Sequence, residues 1–234
     1  MRSRPLSAFF VAVVVASFFA PLRSLAGDSE LDARARRSAE VFREMGSTPD
    51  SEVPDDLLAR SRCLAVIPNV IKAAWFIGGH YGKGLLTCRS EAGEWSPPVH
   101  VLLTGGSFGL QFGASSTDVV LFFMSEKSVR SLLSSRIKLS GEAGVAAGPV
   151  GRGASAATDL KLGAEIYSYA RSRGLFLGVS LEGAYLGVDS DDTRSYYGKS
   201  FAPEAVLFES GVTNVPKSAW TFLGVLPRSG GSTF

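Results

Sequence analysis

Histidine is nearly missing from this chain: His80 and His100 are the only two in 234 residues. Cysteine is as scarce, with Cys63 and Cys88 alone. Four such residues, with no pair at ligand spacing, cannot build a standard zinc site by themselves. Charge of one sign is missing too, since 24 basic residues face 22 acidic ones. Removing residues 1–26 takes away Arg2, Arg4 and Arg23 and leaves 21 (24 less three) against 22. Bulk charge therefore gives no case for nucleic acid as a partner. No cofactor is implied.

What the chain has is apolar material and glycine. Hydrophobic residues make up 45% of it, enough for a real core, and 26 residues are glycine, an excess that the architecture must explain. The N-terminus reads as a targeting segment. Arg2 and Arg4 precede the apolar run FFVAVVVASFFA, and Ser24-Leu25-Ala26 places small residues where a signal peptidase cuts. The run is short for a bilayer span of roughly 20 residues. The expectation is a cleaved signal peptide over 1–26, with a retained anchor as the alternative. An exported chain meets an oxidising compartment. A disulfide between Cys63 and Cys88 is permitted there; two buried thiols are the other reading.

Residues 28–46 repeat Leu31, Ala35, Ala39, Phe42 and Met45 at helical spacing, with Arg34, Arg36, Arg37 and Arg43 largely on the other faces. A turn-rich linker follows, and together they make an N-terminal segment over 27–53. Pro54 opens a short helix. From Cys63 the texture is that of strands. CLAVIP, KAAWFIGGHYG and KGLLTCR read as three, with Gly82 and its neighbours turning the second into the third. WSPPVHVLLT starts another, and Phe108, Leu110 and Phe112 alternate with Ser107, Gly109, Gln111 and Gly113 as one more. DVVLFFM is continuously apolar, a strand buried on both faces. Ser125 caps a helix carrying Val129, Leu132 and Leu133. GEAGVAAGPVGRGASAATD is either closely packed strands or a loop. AEIYSYARSRGLFLGVSLEGAYLG resumes strands, DSDDTRSYYGKS is a short helix or turn, and PEAVLFES a helix or strand. Short connections argue for antiparallel pairing. Glycines inside strands argue for strong curvature. The expected class is α+β: a curved, mainly antiparallel sheet or half-barrel with an N-terminal helical segment and a few packed helices.

Three motifs imitate chemistry. Gly105-Gly106-Ser107-Phe108-Gly109 matches the G-x-S-x-G elbow of serine hydrolases. That elbow needs a helix after the turn, and an acid and then a histidine later in the chain; both histidines here precede Ser107. A hydrolase using Ser107 stays a remote alternative. Gly151, Gly153 and Ala156 fit G-x-G-x-x-A, but Arg171 stands where a dinucleotide site wants an acid. Gly198-Lys199-Ser200 lacks the leading P-loop glycine, since position 193 is threonine. Asp189, Asp191 and Asp192 could approach calcium, but read as a solvated acidic turn. The surface argument is stronger. An amphipathic helix with arginines can lie in a membrane interface, or pack on the sheet with a solvated charged face.

CLAVIPNVIKAAWFIGGHYGKGLL, WSPPVHVLLTGGSFGLQFGASSTDVVLFFMSEKSVRSLLS, GVAAGPVGRGASAATD and SYARSRGLFLGVSLEGA, in this order and spacing, resemble the SYLF domain, over about Pro54 to Leu226. GGSxGLQxGA, AAGPVGRGA and GLFxGVSLEGA are specific phrases. The resemblance implies a domain over 54–228, a tail over 229–234, lipid binding, and no catalytic residues. Eukaryotic members bind phosphoinositides or phosphatidic acid, and a yeast member binds actin. Bacterial members are exported and often lipid-anchored; this chain lacks the lipobox cysteine. As a bacterial exported member it is expected in the periplasm or secreted, peripheral to a membrane. It is expected to contact anionic phospholipid, with actin unlikely. The expected contacts are Arg34, Arg36, Arg37 and Arg43, with Lys72, Lys83, Arg152 and Lys161 as a second set beside glycine-rich or turn segments. The alternative is a structural or protein-interaction module of the envelope whose strand edges serve a protein partner.

Overall fold

The computed structural model describes residues 29–47, 53–74, 77–108, 113–139, 144–149, 164–172, 175–181, 183–209 and 211–227. Helix α1 (Glu30–Ser47) and the short α2 (Asp55–Arg60) lead into β1 (Cys63–Ala74), β2 (Ile77–Cys88), β3 (Val99–Phe108) and β4 (Gly113–Phe123). After α3 (Glu126–Ser134) come β5 (Ile137–Leu139), β6 (Val145–Ala147), β7 (Ile166–Ser172), β8 (Leu175–Gly178) and β9 (Ala184–Val188). Three helices close the described chain: α4 (Ser190–Tyr197), α5 (Pro203–Phe208) and α6 (Lys217–Leu223).

All nine strands among the described residues join one sheet in the order β5-β9-β3-β2-β1-β4-β7-β6, with β8 also on β7. Every pairing is antiparallel except β6 with β7. The succession β3-β2-β1-β4 is a Greek key. Chain connectivity forces curvature. From β9 across to β8 there are six strand spacings, about 29 Å if flat. Yet Gly178 ends β8 and Ala184 begins β9, and six residue steps reach only about 21 Å. The sheet therefore bends into a half-barrel, and the architecture is α+β.

Two strand readings need correction. Gly82 does not turn the chain: β2 runs unbroken from Ile77 to Cys88. The glycines serve close approach instead. A bulge between Val66 and Ile71 presses β1 onto β2, and a Cβ on Gly84 would lie 2.2 Å from the Val66 carbonyl oxygen. The alternation over 107–113 is not one strand. Ser107 and Phe108 end β3, Gly113 begins β4, and 109–112 lie outside the described residues. The next described element after β3 is a strand, where a nucleophile elbow requires a helix.

Cys63 faces Cys88 across the β1–β2 ladder, and the two are bridged, with an S–S distance of 2.08 Å. Leu64 to Ile67 and Val119 to Phe123 are buried throughout, so the central strands have a covering on both faces. On one face α3 reaches β4 and β9 and α5 reaches β2 and β3. On the other, α1 crosses β1 and β2 and touches α4 and α6. Its Ala35, Ala39, Phe42 and Met45, which the spacing singles out, are buried in that joint. Among the described residues no helix is long and apolar enough to cross a bilayer.

Candidate functional site

The register divides the face under α1 into two rows. Tyr169, Val120, Val66, Leu85 and His100 stand opposite one another in turn across β7, β4, β1, β2 and β3, and each is at most 2% exposed. Further along the same strands, on the same face, a second row runs Ser116, Ile71, Tyr81, Thr104, Tyr185, Lys138. None of these six is buried, and Ile71, Tyr81 and Tyr185 are 51%, 50% and 42% exposed. Opposed residues in an antiparallel pair share a face. The helices thus cover one end of this sheet face and leave the other open.

Two ionic clusters fix α1 over the covered end. In the first, Arg34 donates to Asp192 at 2.6 Å, to Glu30 at 3.0 Å and to His100 Nδ1 at 3.0 Å. Lys83 donates to Asp192 at 2.8 Å and lies 2.9 Å from Asp189. Asp189 also caps α4 by accepting from the Asp192 amide. An arginine can only donate, so His100 Nδ1 accepts and the imidazole is neutral with its proton on Nε2. Burial, then the charge of Arg34, pushes the His100 pKa down to about 4. Burial works against ionising Asp192, but hydrogen bonds from Lys83 and Arg34 outweigh it and hold the carboxyl below its ordinary range. Hydrogen bonds to Asp192 and Asp189 raise the Lys83 pKa. In the second cluster, buried Asp118 accepts the Asn69 amide at 2.9 Å, inside the β1 bulge where Asn69 has φ 52°. Asp118 also lies 3.3 Å from Arg37 and 3.6 Å from Arg171. Arg171 in turn pairs with Glu44.

These clusters sort the expected lipid contacts. Arg34 is 9% exposed and held by Asp192 and Glu30, so its charge faces the joint rather than a surface. Lys83 is committed to α4, which also corrects the solvated reading of Asp189 and Asp192. Arg37 is one-third exposed and paired with Asp118 and Glu40. Arg36 is half-buried, near enough to lower the Asp32 pKa behind the hydrogen bond from Ser218. Arg43 is exposed on the outward face of α1. Lys72 stands opposite His80 and Ser115 in the ladder. Arg152 and Lys161 lie outside the described residues. The stripe that would carry α1 into a membrane is packed on the sheet instead.

Sequence reasoning missed the open row and the cations beside it. Arg136 and Lys138 are exposed, with no ion-pair partner among the described residues. Lys138 stands opposite Tyr185, and the Arg136 side chain lies over Gly187, two residues along β9 on the same face. Ile71, Tyr81 and Tyr185 fall in separate strands, so only the pairing brings them together.

A groove of about 610 Å³ at the disulfide end has Arg62, Arg89, Trp95, Arg130, Phe208 and Trp220 in its walls. Its cations are engaged. Arg89 donates to the carbonyls of Ala59 and Pro227 and stacks 4.4 Å over Trp95. Glu126 lies 3.8 Å from Arg62 and accepts from Arg130 at 2.5 Å. The groove therefore acts first as a joint tying the end of the described chain to β2. Among the described residues no three His, Cys, Asp or Glu side chains gather as metal ligands would.

The model of the Ysc84 family, described as Las17-binding protein actin regulator, matches residues 104–229. Protein YSC84 of Saccharomyces cerevisiae is 33% identical over 207 residues, covering 87% of this chain and 43% of its own. SH3 domain-containing YSC84-like protein 1 of Xenopus laevis is 32% identical over 177 residues, 73% of this chain and 52% of its own. LAS seventeen-binding protein 3 of S. cerevisiae is 34% identical over 161 residues, 68% and 35% respectively. The chain spans about half the length, or less, of these relatives. The name of the last describes binding, and the family's description names an actin regulator, so the expectation that sets actin aside draws no support from them.

Proposed function

This chain belongs to the Ysc84 (SYLF) domain family, and from that premise we propose that it is a non-enzymatic module that binds anionic phospholipid membranes. The observation that carries the reading is local charge. Arg43, Arg136 and Lys138 are exposed and outside any ion pair among the described residues. Among the described residues, Asp118, Asp189 and Asp192 on this side of the sheet are each held by cations. A near-neutral chain thus offers an anionic surface a few uncompensated positive charges, each contributing about 1 kcal/mol near such a surface. The chain acts as an exported protein of the periplasm or exterior, peripheral to the membrane.

Co-sedimentation with phosphatidylcholine vesicles, with and without phosphatidylglycerol, tests this. Binding is expected only with the anionic lipid, and to weaken as salt rises. Equal binding to both vesicles, or none to either, sinks the proposal. A second reading is a protein-interaction module of the envelope. It is favoured by the relatives' names and by Trp220, 59% exposed at the groove. Under that reading Trp220→Ala abolishes capture of the partner and leaves vesicle binding unchanged.

A further inference from the structure

We propose that the open end of the sheet face is the surface that lies on the membrane: Ile71, Tyr81 and Tyr185, bordered by Arg136 and Lys138. The inference rests on the membrane reading above and replaces the apolar stripe of α1 as the contact.

Three observations meet on this face. First, its apolar content is exposed in a continuous row. Ile71 pairs with Tyr81, Tyr81 with Thr104 and Thr104 with Tyr185, so three large side chains, each about half exposed, line one strip across four strands. An isolated exposed apolar residue is ordinary, but a contiguous set marks a contact surface. Second, its chemistry is amphipathic. A tyrosine presents an apolar ring and a polar hydroxyl, the combination favoured where hydrocarbon meets headgroups. Third, its charge is one-sided. Arg136 and Lys138 flank Tyr185 with no acidic partner among the described residues, while Asp118 at the other end is neutralised by Arg37 and Arg171. A protein partner or a second copy of this chain would need its own complement to unpaired cations beside tyrosines. An anionic bilayer supplies that complement everywhere.

The covered row explains why this end and not the other does the work. His100, Leu85, Val66 and Val120 lie under helices fixed by the Arg34–Asp192–Lys83 cluster. Exposing them would require breaking those ion pairs. The open row requires no rearrangement, so the folded domain meets the membrane as it stands.

The test compares the full chain with the double variant Tyr81→Ser/Tyr185→Ser and with Arg43→Glu on phosphatidylcholine–phosphatidylglycerol vesicles. The double variant is expected to partition about tenfold more weakly, since two half-exposed rings lose their interfacial contact. Its melting temperature and sedimentation mass should stay unchanged. Tyr81→Trp is expected to bind more tightly. If the wild type binds anionic vesicles and the double variant binds equally well, this face is not the contact, while the membrane reading survives. If the wild type ignores anionic lipid, the membrane reading itself fails, and this inference with it. A loss of melting temperature in the double variant would mean that the chain's own segments cover the row, and would overturn the proposal. So would a wild-type dimer that the double variant converts to monomer.

Discussion

At the scale of the residue, a firm constraint sits at a glycine of β2. Gly84 lies against the β1 bulge, and a methyl group there would fall 2.2 Å from the Val66 carbonyl oxygen and 2.7 Å from Ile67 Cα. Backbone atoms cannot step aside as a flexible side chain can. Gly84→Ala is therefore expected to cost about 3 kcal/mol in urea unfolding, at the upper end for an overpacked core. Gly79 in the same strand has its nearest neighbour at 3.7 Å, so Gly79→Ala should change stability by less than about 1 kcal/mol. Equal costs at the two sites would contradict the close approach. His100 makes a second prediction. Its folded pKa, about 4, lies below the ordinary 6.5. Between these values the unfolded chain binds a proton that the folded chain refuses. The stability from neutral His100 is thus complete above pH 6.5 and is lost as pH falls to about 4, by about 3 kcal/mol. The lowered carboxyl of Asp192 extends the loss below its ordinary value of 3.8. Unfolding midpoints should fall on acidification from pH 7 to 4, and His100→Gln should flatten that slope.

At the scale of the element, two devices hold strands and helices in place. The Cys63–Cys88 bridge joins the outer ends of β1 and β2 across a sequence separation of 25. Closing a loop of that length removes unfolded-state entropy equivalent to about 3.5 kcal/mol. The double change Cys63→Ala/Cys88→Ala is expected to lower stability by roughly that amount while leaving the sheet's circular dichroism intact. Asp118 is the second device, since one carboxylate binds the bulge amide of Asn69 and pairs with Arg37 of α1 and Arg171 of β7. Removing it takes one partner from each of two cations, which keep Glu40 and Glu44, and leaves an amide without an acceptor. Asp118→Ala should cost about 2 kcal/mol, chiefly for the unsatisfied amide, and open the β1 bulge to hydrogen exchange. Exchange unchanged in β1 would show that the bulge holds its shape without the carboxylate.

At the scale of the whole molecule, the question is whether the domain binds a surface closed or opened. Helix α1 looks like a membrane helix in isolation, because its apolar stripe and its arginines occupy different faces. In the fold the stripe is buried and Arg34 and Arg37 are held in ion pairs. With the open sheet row as the contact, α1 stays docked. Hydrogen exchange measured with and without phosphatidylglycerol vesicles should leave α1 protected and slow exchange only around the Ile71 end of β1, β2, β9 and β5. Loss of protection across Ala35 to Met45 on adding vesicles would mean that the helix leaves the sheet and inserts.

The sequence by itself determined the local elements. The 3.6-residue spacing of Ala35, Ala39, Phe42 and Met45 specifies α1 and the face it buries, Ser125 specifies the start of α3, and the unbroken run Val119 to Phe123 specifies a strand covered on both sides. Periodicity and capping act over a few neighbouring residues, so they are legible in one dimension. Tertiary structure alone decided what those elements present to the outside. Gly82 reads as a turn until β1 is seen pressing on it. Asp189 and Asp192 read as a solvated turn until Arg34 and Lys83, over a hundred positions away, arrive beside them. Ile71, Tyr81 and Tyr185 form a surface only because the ladder aligns three separate strands. Which row the helices cover depends on ion pairs between distant segments, and no local pattern encodes that pairing.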